Sequence, residues 1–259
     1  MIKAKAGARR RVLRRSVLNS QAPAKNVRGR IAKRGSTMQN TPHYSRLPQH
    51  IGIIPDGNRR WAQQKGLKKE DGYDYGIEPG YELCQECISL GIREITFYGF
   101  TQDNTKRPAV QTRAFQKACV DAVMSLAEHD ANLLILGNTE SPMFPDELKP
   151  FTRRVQCGKG LINVNFLVNY GWDWDLGFAA GSERKSRSES IIKHIASCDI
   201  SRIDMILRWG GRRRLSGFLP VQSIYADIYV IDELWPELKI DHLYDALDWY
   251  QQQDITLGG

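Results

Sequence analysis

Three segments carry residues whose types and spacing could do chemistry. The first runs Asp56-Gly57-Asn58-Arg59-Arg60-Trp61. A carboxylate at a strand end is a natural Mg2+ ligand, because hard cations take oxygen. Gly57 lets the backbone approach a ligand closely. The N–H groups at the following helix start, with Arg59 and Arg60, can cradle a phosphate. Asp-Gly-Asn alone is an ordinary capped turn; the two arginines behind it shift the reading toward an anion site. The second segment, Thr101-Gln102-Asp103-Asn104-Thr105-Lys106-Arg107, offers hydroxyl, amide, carboxylate and cationic groups ahead of a helix opened by Pro108. Its plainer reading is a polar loop capping that helix. The third, Arg208-Trp209-Gly210-Gly211-Arg212-Arg213-Arg214-Leu215-Ser216, hangs four arginines and a serine on a flexible Gly-Gly turn. That suits a polyanion such as diphosphate, the alternative being a solvated charged loop. Asp227 is either a second oxygen ligand for a metal or a surface residue at a strand start.

All three segments follow short apolar runs rich in β-branched and aromatic residues. Such runs occupy residues 51–54, 92–100, 133–136, 161–168, 205–208 and 228–231, with helical patterns over 81–90, 109–128 and 188–196. Strands separated by helix-length segments predict βαβ units and an open, mostly parallel sheet flanked by helices, an α/β fold. Ligands in such folds sit beyond the carboxyl ends of the strands, where these polar segments fall. Val110, Ala114, Ala118, Ala122, Val123 and Leu126 recur at helical spacing, the mark of a core face.

The 259 residues suffice for a sizeable core. No stretch approaches the roughly 18 uninterrupted apolar residues of a membrane span, and the N-terminus lacks the apolar centre of a signal peptide. The net charge of +8 hides a division: residues 1–46 hold 13 Lys or Arg and no acid, leaving 24 basic against 29 acidic residues, a net of −5. The expectation is a basic, disordered tail over 1–46 and a catalytic domain over 47–259. The tail is read as an arm for nucleic acid, a peripheral contact with an anionic membrane surface, an idle extension, or the product of a start upstream of Met38. Five scattered cysteines argue against a disulfide framework and for a reducing, cytoplasmic setting. Cys84 and Cys87 form a lone Cys-X-X-Cys on a helical stretch, better read as a buried face than as zinc ligands.

Together the segments resemble the cis-prenyltransferases, the undecaprenyl diphosphate synthase-like enzymes, from about His50 to the C-terminus. The resemblance is carried by His50…Asp56-Gly57-Asn58-X-Arg60-Trp61-Ala62, then Phe100-Thr101-X-Asp103-Asn104-X-X-Arg107-Pro108, Asn165…Asn169-Tyr170-Gly171, Arg208-X-Gly210-Gly211-X-X-Arg214-X-Ser216-X-Phe218, and Gln222…Tyr225-Ala226-Asp227 with Leu234-Trp235-Pro236. It implies a homodimer and two diphosphate sites beside an apolar tunnel lined by the 109–128 helix. The allylic prenyl diphosphate donor is expected on Asp56 with Mg2+, the Gly57–Arg60 loop, Lys69 and Arg107. Isopentenyl diphosphate is expected on Arg208, Arg214 and Ser216, with Asp227 the other metal-linked acid. Asn104 matches an asparagine assigned to proton removal. No Asp-Asp-X-X-Asp is present, which sets the chain apart from the helical trans-type synthases.

The departures from the pattern gather on the acceptor side. Arg212 stands where the family has Glu, Asp227 where it has Glu, and Val221 where it has Trp. Thr105 replaces the Trp of an Asn-Trp pair, and Tyr73 replaces a His; both are expected near the meeting point of the substrates. The reading is a prenyltransferase that keeps the allylic donor and passes its prenyl group either to isopentenyl diphosphate by cis-condensation or to a different acceptor, another small prenyl diphosphate or a non-isoprenoid alcohol. The alternatives are a non-catalytic partner subunit, against which the intact Asp-Gly-Asn speaks, and nucleic-acid binding through the tail, for which the body carries no motif.

Overall fold

The computed structural model describes residues 44–181 and 190–254. The tail expected over residues 1–46 lies outside them except for its last three residues. These pack on the globule: the Arg46 guanidinium lies 4.0 Å over the Tyr250 ring.

Seven strands form one sheet in the order β4-β3-β5-β2-β1-β6-β7. They are β1 (His50–Ile54), β2 (Glu94–Tyr98), β3 (Ala131–Leu136), β4 (Val155–Gln156), β5 (Ile162–Leu167), β6 (Met205–Arg208) and β7 (Asp227–Val230). All pairs are parallel except β3–β4. The central strands are buried throughout, as expected where helices cover both faces of a parallel sheet. The helices are α1 (Asn58–Gln64), α2 (Ile77–Ser89), α3 (Ala109–Ala127), α4 (Trp172–Gly181) and α5 (Ile240–Gln251). Among the described residues no helix is long and apolar enough to cross a membrane.

One core builds on Ile51, Ile53, Ile95 and Phe97 with Leu83, Val123 and Leu247. The other builds on Ile54, Ile206, Leu167 and Phe218. The split follows from the alternation of side chains along a strand. Cys84 and Cys87 are buried in the first core, and burial pushes the Cys84 thiol up to about 12, the behaviour of an inert core cysteine.

The helix expected over 188–196 is only a 3-10 turn, Ile191–His194, within the described part of that range. The topology itself positions the site. The chain leaves β1 for β2 on one side and later returns to the other side of β1 with β6. Three neighbouring strands therefore deliver the three polar segments to one end of the sheet, beside the point where strand order reverses.

Candidate active site

The first segment leaves β1 through Asp56 and enters α1. Gly57 sits at φ 112°, a backbone region that favours glycine, and a Cβ there would lie 2.8 Å from the Leu234 side chain. The Asp56 carbonyl accepts the Trp235 N–H at 3.0 Å, which ties the loop to the Leu234-Trp235-Pro236 motif. Asn58 donates through Nδ2 to the Pro55 carbonyl at 3.0 Å.

The third segment leaves β6, hydrogen-bonded to β1 with Ile54 opposite Arg208. Arg208 is only 3% exposed. Its Nη2 donates to Asp56 Oδ2 at 3.0 Å and its Nη1 to Ser216 Oγ at 3.1 Å and to the Arg214 carbonyl. Burial pulls the Arg208 pKa down, and the Asp56 carboxylate opposes that pull. Arg60 spans the same two loops: its Nη2 lies 3.5 Å from Asp56 Oδ1 and donates to the Gly210 carbonyl at 2.9 Å. Gly210 takes φ 84°, and a Cβ there would crowd the Asp56 carbonyl oxygen at 3.1 Å. The Gly-Gly turn is thus what lets the arginine loop close on Asp56.

The second segment leaves β2 and folds into a 3-10 turn capped by its own side chains. Asn104 Oδ1 accepts the Thr101 N–H at 3.1 Å, and Thr105 Oγ1 donates to the Gln102 carbonyl at 2.7 Å. Asp103 is paired with Lys106 at 2.7 Å. Arg107 Nη1 donates to the Tyr73 hydroxyl at 2.9 Å. Burial raises the Tyr73 pKa and lowers that of Arg107; their contact opposes both shifts.

These residues surround one polar cleft of about 480 Å³. Asp56, Gly57, Asn58, Arg59, Arg60, Lys69, Tyr73, Thr101, Asp103, Asn104, Arg107, Arg208, Arg214 and Ser216 all line it. So does Arg212. Seven cations thus face two carboxylates, Asp56 and Asp103. A cleft of one sign with low-dielectric walls focuses its field on an anion. Pro55, Asn58, Tyr73, Gly99 and Phe115 line both the cleft and an adjoining apolar cavity of about 70 Å³. Ala118, Ala122 and Leu126 of α3 face that cavity, whereas Val110 is exposed.

Three expected site residues lie elsewhere. Trp61 packs against Tyr75 with ring centroids 4.6 Å apart, on the side of α1 away from the cleft lining. Thr105 is absorbed in its turn and does not line the cleft. Asp227 opens β7 opposite Met205, the first residue of β6, while Arg208 at the site end pairs with Val230. The parallel register therefore sets Asp227 at the other end of the sheet, apart from Asp56 within this chain. Among the described residues no group of three or more His, Cys, Asp or Glu side chains is placed to hold a metal.

Cleft residues not singled out as binding groups include Gln63, Tyr98, Gly99 and Phe115. Gln63 follows Arg59 by one helical turn, a spacing that puts both on one face. Tyr98 ends β2 and donates to the Ser216 carbonyl at 2.8 Å, a contact across loops that spacing does not encode.

A family model described as "Putative undecaprenyl diphosphate synthase" matches residues 54–258. The isoprenyl transferase of Thermus thermophilus is 31% identical over 236 residues, covering 82% of this chain and 89% of its own. That of Leptospira interrogans is 30% identical over 233 residues, covering 83% and 96%. A ditrans,polycis-undecaprenyl-diphosphate synthase, (2E,6E)-farnesyl-diphosphate specific, from Vibrio parahaemolyticus is 28% identical over 239 residues, covering 85% and 95%. The lavandulyl diphosphate synthase of Lavandula x intermedia, solved with dimethylallyl diphosphate, superposes with TM-score 0.71 at 22% identity, over 82% of this chain and 98% of that one.

Proposed function

The chain belongs to the undecaprenyl diphosphate synthase family of cis-prenyltransferases, and from that premise we propose how its cleft transfers a prenyl group from an allylic diphosphate to an acceptor that differs from the family's usual one. One observation carries this reading: a cationic cleft adjoins an apolar cavity, the two sharing lining residues, Tyr73 and Phe115 among them. That pairing matches an amphipathic substrate with a diphosphate head and a hydrocarbon tail.

The donor head is assigned to the Asp56–Arg60 loop, Lys69 and Arg107, with its tail in the cavity. As the allylic carbon–oxygen bond breaks, the electron pair leaves with the diphosphate. Arg59, Arg60, Arg107 and Arg208 stabilise that developing charge without rearranging. With a prenyl diphosphate acceptor, its double bond supplies the electron pair of the new carbon–carbon bond and the resulting cation loses a proton to diphosphate or to water; with an alcohol, the hydroxyl oxygen supplies the pair of a new carbon–oxygen bond and loses its proton the same way. The Asn104 oxygen already holds the Thr101 N–H, so Asn104 is assigned a positioning role. The acceptor lies by Arg208, Arg212, Arg214 and Ser216, where Arg212 and Val221 depart from the family pattern. Proximity of the two reacting carbons contributes as much as any acid or base.

Asp56 suits Mg2+ shared with substrate oxygens, since Mg2+ is commonly held by one or two carboxylates plus phosphates. A protein-only site is not supported, because the nearest groups to Asp56 are arginines. When bound, the ion would neutralise charge on the leaving group. A homodimer is assigned on the exposed apolar residues Ile224, Tyr225 and Ile228 at the sheet edge formed by β7, to be checked by analytical ultracentrifugation. A cytoplasmic location, with peripheral membrane contact through the basic tail, completes the reading.

The test is incubation of purified protein and Mg2+ with labelled allylic diphosphates and each of three acceptors: isopentenyl diphosphate, a second allylic diphosphate, and an alcohol. Mass spectrometry identifies the product. Long polyprenyl chains from isopentenyl diphosphate would contradict the altered acceptor and retain the transfer.

A further inference from the structure

The loop that follows β6 holds an unusual backbone. Ser216, Gly217 and Leu219 take φ 55°, 80° and 35°, and Ser216 and Leu219 carry a Cβ. Left-handed backbone at such residues is uncommon and persists only where the surroundings over-determine it. Burial fixes the far end. Phe218 is fully buried in the core with Ile54 and Ile206, in a space that Gly52 of β1 leaves open, since a Cβ there would meet the Phe218 ring at 2.5 Å. The near end is wedged between two rings: a Cβ on Gly217 would lie 2.9 Å from Trp172 Cδ1 and 3.5 Å from the Tyr98 hydroxyl.

Two hydrogen bonds hold Ser216 itself. Arg208 Nη1 donates to its Oγ at 3.1 Å, and the Tyr98 hydroxyl donates to its carbonyl at 2.8 Å. A serine hydroxyl that accepts one hydrogen bond still has its own hydrogen to donate, so Ser216 is left as a donor to an anion in the cleft. Tyr98 is a rigid origin for the second bond. It is the last residue of β2, opposite Leu167 of β5. Its ring packs on Phe218 with centroids 5.2 Å apart and meets Tyr170 edge-on at 6.4 Å. Burial and the Asp103 carboxylate raise its pKa against the opposing pull of Arg208, so the hydroxyl keeps the proton that the bond needs. The 101–107 segment begins three residues further on. One strand end thus carries Arg107 toward the donor and braces the loop that carries Ser216 toward the acceptor, and rate depends on how closely two bound reactants are aligned.

We propose that Tyr98 is a positioning residue for the acceptor: its hydroxyl holds the Ser216–Gly217 turn in the left-handed conformation that sets the Ser216 hydroxyl, with Arg208 and Arg214, against the acceptor's diphosphate. This rests on the acceptor being a diphosphate bound by Arg208, Arg214 and Ser216. Tyr98 acts through Ser216 and not on the reacting atoms.

The test measures two dissociation constants by calorimetry with Mg2+ present. One is that of an unreactive allylic thiolodiphosphate, which reads the donor site. The other is that of isopentenyl diphosphate added to protein saturated with that analogue, which reads the acceptor site. Tyr98→Phe keeps the ring on Phe218 and Tyr170 and removes the donor to the Ser216 carbonyl. It should weaken isopentenyl diphosphate by about 3- to 10-fold, the worth of one hydrogen bond, and leave the thiolodiphosphate within about 2-fold. Ser216→Gly accepts the left-handed turn without steric cost and removes the hydroxyl. In that background Tyr98→Phe should change the isopentenyl diphosphate constant by less than about 2-fold. Thermal melts should place every variant close to the wild type. Equal weakening of both ligands, or of neither, overturns the proposal, the first because Tyr98 then supports the fold as a whole. Full additivity of the two substitutions also overturns it, because Tyr98 then acts without Ser216. A wild type that binds the thiolodiphosphate and no isopentenyl diphosphate overturns instead the underlying reading of the arginine loop as a diphosphate site.

Discussion

Arg208 and Asp56 meet at 3.0 Å although 152 residues separate them in the chain. Their strands are adjacent, with Ile54 opposite Arg208, so the pair joins what the sequence pattern divides into a donor motif and an acceptor motif. Arg208 is nearly fully buried, whereas the Asp56 side chain is 35% exposed. The carboxylate is held in place from below and remains open to a ligand above.

Asp56→Asn should cut turnover by at least about 100-fold, the order seen when one preorganised electrostatic group is removed. The amide keeps the shape, so the melting temperature should stay close to that of the wild type. Steady-state kinetics and a thermal melt check both halves; near-normal turnover would contradict the role given to this carboxylate.

Arg208→Ala should lower kcat and also weaken both substrates, because the side chain holds Asp56 as well as Ser216 and the Arg214 loop. Arg214→Ala should act mainly on the KM of the acceptor. If Arg208→Ala changes only the acceptor KM, the ion pair is not what couples the two halves. Initial-rate kinetics with each substrate varied separates these cases.

The three segments were legible because each follows a β-branched, aromatic run, and βαβ topology sends such ends to one side. What remained hidden was pairing. Nothing in the spacing says that β6 lies against β1, or which end of β7 carries Asp227; the register opposite Met205 decides that. Trp61 and Thr105 share the motif's sequence but turn to Tyr75 and to the Gln102 carbonyl. The helix α5 had a readable signal, with Leu243, Ala246, Leu247 and Tyr250 buried at helical spacing. By contrast α4 had little, because its apolar residues do not favour one face.

Arg212→Glu replaces one of the cleft's seven cations with a carboxylate. It should raise the KM of an anionic acceptor about 10-fold at low salt, with the difference shrinking as ionic strength rises. Among diphosphate acceptors it should also shift preference toward isopentenyl diphosphate, read by product analysis under competition. Unchanged preference would remove Arg212 from the explanation of the altered acceptor.

His50 predicts an acid-sensitive fold. It is buried, with Nε2 2.8 Å from Thr96 Oγ1 and Nδ1 3.0 Å from the Ser201 carbonyl, an arrangement that suits the neutral ring with its proton on Nδ1. Burial lowers its pKa below 6.5, against the opposing pull of Glu94 and Asp204. The unfolded chain therefore takes the proton first. Stability from this group is complete above pH 6.5 and falls as the pH drops toward the folded-state value, by up to about 1.4 kcal/mol per pH unit. Denaturant unfolding across pH 4 to 8 should show that loss, and His50→Gln should flatten it. An unchanged slope in the variant would assign the loss to other groups.

Mg2+ should bind weakly to the protein alone and well in the presence of a diphosphate, since Asp56 is the one carboxylate at the cleft's ion-paired floor. Calorimetric titration with and without inorganic diphosphate reads the difference. Tight binding to the free protein would point to a metal site built on other residues.

The most direct measurement is a crystal structure with an unreactive allylic thiolodiphosphate. The account predicts the headgroup against the Asp56–Arg60 loop and Arg107, with the hydrocarbon tail entering the cavity past Tyr73 and Phe115. A headgroup seated away from Asp56, or a tail directed to solvent, would contradict it.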